Sequence, residues 1–144
     1  MFQLDAKITN AISQLEKVEK AQRPLTVKRV AAYVRRVAIN SMERTPGPSK
    51  PGTPPHTHKG RLRRSIFFAV DDNGVADVGP SWSGLQRGGL PPYVGRIHEY
   101  GGKVPTKRRK GATVRKYPAR PFMRPALDQC RGEILDAFKA AMGG

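Results

Sequence analysis

Residues 45–60, TPGPSKPGTPPHTHKG, constrain the fold of this chain more than any other segment. They contain five prolines and three glycines in sixteen positions. Proline lacks the backbone N–H that a helix interior or a central strand needs, and glycine favours turns. The segment therefore predicts a long loop between an N-terminal helical part and the rest of the chain. Long loops without regular structure are typically functional or disordered, so we expect this one to need a partner to become ordered.

Two amphipathic segments precede the loop. The first repeats apolar residues at helical spacing over residues 4–18, and we expect it to end before Pro24. The second begins near Thr26, a suitable N-cap, and its apolar face reaches Met42. Together they predict a helical hairpin, or one long helix that bends at Pro24.

Strand signals follow the loop. SIFFAV, the turn sequence DDNG and VADV predict a hairpin with strands at about 65–71 and 75–79. Residues 80–92 are rich in glycine and proline and predict another loop. Residues 93–100 predict a short helix, which Gly101 ends in a left-handed conformation.

The last part of the chain predicts a basic arm and a closing helix. In residues 103–117, the basic tip KRRKG lies between two short stretches that could pair as a protruding hairpin. Prolines then hold the chain extended as far as Pro125, which suits the first turn of the last helix, and Cys130 lies on the apolar side of that helix. The overall prediction is a single domain, 1–144, of α+β class. Its N-terminal helical hairpin and C-terminal helix would pack on a small antiparallel β-sheet.

Composition excludes several protein classes. The chain has 27 Lys and Arg against 11 Asp and Glu, a net charge of +16, which indicates a polyanionic or acidic partner. One cysteine rules out an intramolecular disulfide. No apolar run approaches the roughly 18 residues that span a bilayer, and the N-terminus does not read as a signal peptide. We therefore expect a protein made inside the cell, with no membrane partner.

No residue pattern indicates catalysis. His56 and His58 form an H-x-H pair, but no third ligand lies near them in the sequence. His98 and Glu99 are adjacent, so on a helix their side chains project about 100° apart and cannot act as a dyad. The sequence has no P-loop, dinucleotide fingerprint or nucleophile elbow. We therefore expect no enzymatic activity, no metal and no cofactor.

Clusters of basic residues carry the strongest functional signal. Cations that meet phosphates release counterions and give salt-dependent binding without sequence preference. The same charges could instead face acidic protein neighbours, or keep the chain soluble. The candidate contact residues are Lys59, Arg61, Arg63 and Arg64 at the end of the loop, and Lys103, Lys107, Arg108, Arg109, Lys110, Arg115 and Lys116 in the arm.

Three segments in order resemble one known family. They are GRLRRSIFFAV at 60–70, HEYGG at 98–102 and PARPFMRPAL at 118–127. They resemble the virion morphogenesis proteins of tailed bacteriophages, a family that includes tail-completion and tail-terminator components of the neck. The resemblance covers roughly residues 26–142. The long Pro-rich loop and the basic arm depart from the usual pattern of the family.

The resemblance implies a structural virion protein. Such a protein forms a homo-oligomeric ring, a hexamer or alternatively a dodecamer, which completes the tail and joins it to the DNA-filled head. Its partners would be adjacent connector and tail-tube proteins, with non-specific contact between the basic residues and packaged DNA. It would reside in the neck of the virion after assembly in the host cytoplasm. The charge alone leaves one alternative open, a basic nucleic-acid-binding protein of ribosomal or chromatin-like type.

The same segments contain residues that we expect to be structural or to lie at an interface. Phe122 is the natural anchor of the third segment in the core, because the flanking prolines stiffen the chain around it. Arg120 and Arg124, on either side of Phe122, could bind carboxylates or backbone carbonyls. Glu99 and Gly101 belong to the second segment, where we expect Glu99 to pair at a surface or interface.

Overall fold

The computed structural model describes the backbone of residues 23–108 and 111–143. This part of the chain combines helices at both ends with two antiparallel two-stranded sheets. The predicted α+β class is therefore confirmed. The first segment of the predicted helical hairpin lies outside the described residues.

Helix α1 covers residues 23–41 and buries the predicted apolar face. Val27, Ala31 and Ala38 are buried along it. The predicted helix start is wrong, because Thr26 lies inside the helix on the buried side and does not cap it. Packing of the apolar face outweighs the preference of threonine for a terminal position.

A one-turn helix, α2 (Arg61–Ser65), leads directly into the first hairpin. Strand β1 (Ile66–Val70) pairs antiparallel with β2 (Ala76–Pro80), close to the predicted positions. Asp71 shapes the turn, because its Oδ1 accepts a hydrogen bond from the backbone N–H of Val75 at 2.7 Å. The helix before the strand has no counterpart in the sequence-based prediction.

The predicted loop at 80–92 is wrong over half its length. Helix α3 (Trp82–Arg87) lies there, and the Ser81 hydroxyl caps it by accepting from the Gly84 N–H at 3.0 Å. A Cβ on Gly84 would lie 2.8 Å from a ring carbon of Phe67. This glycine therefore permits close packing of the helix on β1, whereas in the sequence it suggests a loop.

The C-terminal elements match their predictions. Helix α4 (Val94–Tyr100) precedes β3 (Gly102–Arg108), which pairs antiparallel with β4 (Gly111–Tyr117). Helix α5 (Met123–Gly143) closes the chain. Across the described residues, no helix has the length and apolar character that crossing a membrane would require.

The core lies where α1, α2, β1, α3 and the start of α5 converge. Phe122 and Ile66 are completely buried in it. Cys130 is also fully buried, as predicted, and burial together with the nearby Glu133 carboxylate raises the pKa of its thiol. The buried cluster consists of Ala38, Met42, Leu62, Ile66, Leu85, Phe122 and Ala126.

The Pro-rich loop docks on the chain's own body. The Gly52 N–H donates to the Ala119 carbonyl at 2.8 Å, and the Thr57 N–H donates to the Glu43 carbonyl at 2.8 Å. Pro55 is among the most completely buried residues. The expectation that this loop needs a partner to be ordered is therefore wrong, because its backbone groups find partners within the same chain.

Candidate partner-binding surface

The carboxylate of Glu99 joins the two segments HEYGG and PARPFMRPAL. Its Oε2 accepts hydrogen bonds from the backbone N–H groups of Phe122 and Met123, each at 3.0 Å, and its Oε1 accepts from that of Arg124 at 2.9 Å. The first N–H groups of a helix have no partner within the helix, and negative charge is favourable there. Glu99 therefore caps α5 from the neighbouring helix α4.

Gly101 allows the chain to cross itself beside this cap. Its φ is +70°, a conformation that L side chains rarely adopt, and it ends α4. A Cβ at this position would lie 2.9 Å from the backbone nitrogen of Ala119 and 2.9 Å from the Tyr117 carbonyl oxygen. The Arg120 N–H donates to the His98 carbonyl at 2.6 Å in the same crossing. The turn thus requires glycine for both conformation and space.

The segment PARPFMRPAL also binds the Pro-rich loop. The Arg120 guanidinium donates through Nε to the Ser49 carbonyl at 2.9 Å. Phe122 lies next to this contact with no exposed surface. The Arg124 side chain is exposed, and among the described residues it has no hydrogen bond to a carboxylate or a carbonyl. Glu99, Gly101, Arg120 and Phe122 therefore form one junction, and Arg124 joins it through its backbone.

Arg35 has a structural role that the sequence does not indicate. A charged side chain on a helix is usually exposed to solvent. The Arg35 Nε instead donates to the Ile66 carbonyl at 2.7 Å, and its guanidinium lies 5.8 Å from the centre of the Phe67 ring. The sequence carries no signal for this contact, because the acceptor is a backbone carbonyl 31 residues away.

The basic arm is the hairpin β3–β4. Lys103 lies directly opposite Lys116, and Val104 lies opposite Arg115. All three cationic side chains are exposed, whereas Val104 is buried and anchors the base of the hairpin. Like charges opposite each other destabilise a strand pair, so an anionic partner would stabilise this one.

The tip of the arm is described in part. Lys107 and Arg108 are the last residues of β3, and their backbone pairs with Ala112 and Gly111. Arg109 and Lys110 lie outside the described residues. The four cations at the tip therefore stay a sequence-based prediction of a contact surface.

A basic pocket opens between the Pro-rich loop and α4. Its volume is about 310 Å³, and its apolar lining comes from Leu62, Leu90 and Val94. Burial, and secondly the positive charge of Arg120, lower the pKa of His98, which also lines it. The remaining lining residues are His56, Thr57, His58, Lys59 and Arg61.

Two polar atoms at this pocket lack a partner in the described part of the chain. They are the hydroxyl of Thr57, a residue that is only 6% exposed, and Nδ1 of His56. On its other side, His56 Nε2 lies 3.8 Å from a Glu43 carboxylate oxygen. The described residues contain no group of three ligating side chains that could hold a metal ion. The pocket instead offers an apolar floor and a cationic rim.

The structure separates the two predicted basic clusters. Lys59 and Arg61 line the basic pocket, and Arg63 and Arg64 lie further along α2, half-buried and exposed respectively. The second cluster extends along the β3–β4 hairpin. The cations therefore form two surfaces on different elements.

Apolar side chains are also exposed at the surface. A groove of about 660 Å³ lies between α1, β2, α4 and α5. Leu135 and Met142, on α5, are 60% and 70% exposed. Exposed apolar surface of this kind is typical of proteins that associate with others.

Comparison of this chain with models of protein families, with curated proteins and with solved structures finds no match.

Proposed function

We propose that this chain is a structural subunit of a tailed-phage virion. It forms a ring in the neck, where it completes the tail and joins it to the DNA-filled head. The observation that carries the proposal is the Glu99 junction. Two of the three segments that resemble the phage family meet there, and three backbone hydrogen bonds to one carboxylate hold them together.

The junction supports a scaffold role because it fixes geometry. A ring closes only if every subunit meets the next at the same angle, so a ring subunit benefits from elements that cannot move against each other. Here α4, α5 and the Pro-rich loop are bonded together through Glu99 and Arg120. None of these contacts brings together groups that could perform acid–base or nucleophilic chemistry.

The basic arm supports contact with an anionic neighbour. Its exposed cations include Lys103, Arg115 and Lys116, and two of these face each other across the strands. In the proposed ring the arm reaches the channel lumen, where it meets DNA, or an adjacent ring, where it meets acidic protein. Either partner would relieve the repulsion within the arm.

A genetic experiment in the phage that encodes this chain tests the proposal. An early stop codon in the gene should yield DNA-filled heads and assembled tails that lack this last component and fail to join, and the wild-type chain supplied in trans should restore joining. The Asp136→Asn variant, which changes an exposed carboxylate on α5, should restore joining equally well. Infectious particles that form normally without the chain, or a block before heads are filled or before tail tubes assemble, would contradict the proposal.

The basic arm also favours a second candidate, a nucleic-acid-binding protein that acts as a monomer. Counterion release would then give the free chain strong, salt-dependent affinity for duplex DNA. Binding of the purified monomer to DNA at about 0.15 M salt distinguishes the two functions. Tight binding by the monomer supports the second candidate, and weak binding together with ring formation supports the neck protein.

A further inference from the structure

The turn between β1 and β2, together with the first residues of β2, is acidic in a strongly basic chain. Residues 71–77, here called the acidic tip, hold three of the chain's eleven acidic residues, Asp71, Asp72 and Asp77. Asp71 uses Oδ1 to shape the turn. Among the described residues, none of the three forms an ion pair, although Arg23 passes close to the tip at Gly74.

The acidic tip also carries an exposed apolar side chain. Val75 is 60% exposed and lies between Asp72 and Asp77 in the sequence. Burying it against apolar surface would be favourable, at about 25 cal/mol for each Å² removed from water. The tip therefore combines negative charge with one apolar group.

The basic pocket has the complementary combination. Lys59 and Arg61 supply positive charge at its rim, and Leu62 and Val94 supply apolar surface on its floor.

The tip of a subunit does not fill that subunit's own pocket. The pocket lies at the start of α2, whereas the tip follows the far end of β1, the strand that begins where α2 ends. Five residues of strand extend about 17 Å. No residue of the acidic tip lines the pocket. The tip of the same subunit therefore does not reach this pocket, whereas the tip of a second copy could.

We propose that the acidic tip of one copy docks in the basic pocket of the next copy. The carboxylates of Asp71 and Asp72 face Lys59 and Arg61, and Val75 covers the apolar floor. The two surfaces differ, so the contact is heterologous and repeats from subunit to subunit until a ring closes. The inference rests on the ring proposed above and names the surfaces through which its subunits meet.

Two charge reversals test this contact. Asp72→Lys alters the tip and leaves the turn-shaping Asp71 in place, and Lys59→Glu alters the pocket. Each variant alone should stay monomeric in native mass spectrometry at micromolar concentrations where the wild-type chain assembles. An equimolar mixture should assemble again with the two variants in equal numbers, because each reversed surface then meets a reversed complement.

Two further substitutions provide matched controls. Asp136→Lys and Lys139→Glu make the same charge changes at exposed positions of α5, which belong neither to the acidic tip nor to the lining of the basic pocket. Both should assemble like the wild-type chain. Equal melting temperatures for all four variants would show that the losses of assembly do not come from unfolding.

Three results would overturn the contact. The first is that Asp72→Lys or Lys59→Glu alone assembles like the wild-type chain. The second is that the mixture of the two variants stays monomeric. The third is that the wild-type chain is monomeric at every concentration. Each leaves the neck role standing, because that role is tested separately on particles. Conversely, rings that form in solution and follow the charge rule but are absent from particles would contradict the neck role alone. If Lys59→Glu blocks joining of heads to tails while rings persist, the pocket binds another acidic protein and the self-contact is wrong.

Discussion

Replacing Glu99 with alanine should destabilise the protein by about 2–4 kcal/mol. Loss of a helix N-cap costs about 0.5–2 kcal/mol. Loss of a carboxylate beside the positive end of the helix costs about 0.3–1 kcal/mol more. Glu99 satisfies three N–H groups, one or two more than an ordinary cap, and a further donor left unpaired in a half-buried site adds about 1 kcal/mol.

The glutamine variant separates the contribution of the third hydrogen bond and the negative charge from that of the other two hydrogen bonds. Glu99→Gln keeps one carbonyl oxygen, which can still accept from Phe122 and Met123, but it turns an N–H₂ group toward the N–H of Arg124. Its cost should therefore be about half that of the alanine variant. Asp136→Ala, at an exposed position on α5, is the matched control and should change stability by less than about 0.5 kcal/mol.

Urea denaturation followed by circular dichroism measures these differences directly. For a chain of 144 residues, about 1 kcal/mol corresponds to about 3 °C in melting temperature, so Glu99→Ala should melt about 6–12 °C below wild type. An alanine variant within about 0.5 kcal/mol of wild type would refute the reasoning, because α5 would then begin at Met123 without help from Glu99.

Three other outcomes follow from the structure. Phe122→Ala should lower the free energy of unfolding, measured by urea denaturation, by about 3–5 kcal/mol. Leu127→Ala, at a site that is 44% exposed, should lower it clearly less. Equal losses would contradict the role of Phe122 as the core anchor. Because the pKa of His98 is lowered from 6.5, the unfolded chain binds the proton more readily, so stability should fall as pH drops below about 6.5. His98→Gln should reduce that loss. An unchanged slope of stability against pH in the variant would be inconsistent with a half-buried imidazole that the fold keeps neutral. Serine at all of residues 107–110 should leave the melting temperature nearly unchanged but impair joining of heads to tails, whereas normal yields of infectious particles would show that the tip of the arm is dispensable.

Local signals made much of the fold predictable. The strand formers of SIFFAV and the DDNG turn indicate the β1–β2 hairpin, which the structure contains. Gly101 ends α4 as expected, and its positive φ of 70° is one that glycine adopts readily, but its ψ of −173° lies outside the expected left-handed helical conformation. These features depend on neighbouring residues, so the sequence displays them.

Long-range contacts explain what the sequence did not show. Gly84 reads as a loop residue, but it lies in α3, where the Phe67 ring leaves no room for a Cβ. The Pro-rich loop reads as unsupported, but Arg120 binds it from 71 residues away. Glu99 reads as a surface carboxylate, and no sequence rule places the start of α5 beside it. In each case the partner is distant in the chain, and several of the partners are backbone groups that carry no residue-specific signal.

The most direct test of the neck role is a cryo-electron microscopy reconstruction of the neck of the phage that encodes this chain. We predict a closed ring of identical subunits between head and tail, with the β3–β4 hairpin of each subunit directed toward the DNA channel or the adjacent ring. A neck that contains no copy of the chain, or a single copy with its basic arm in solvent, would contradict the proposed function.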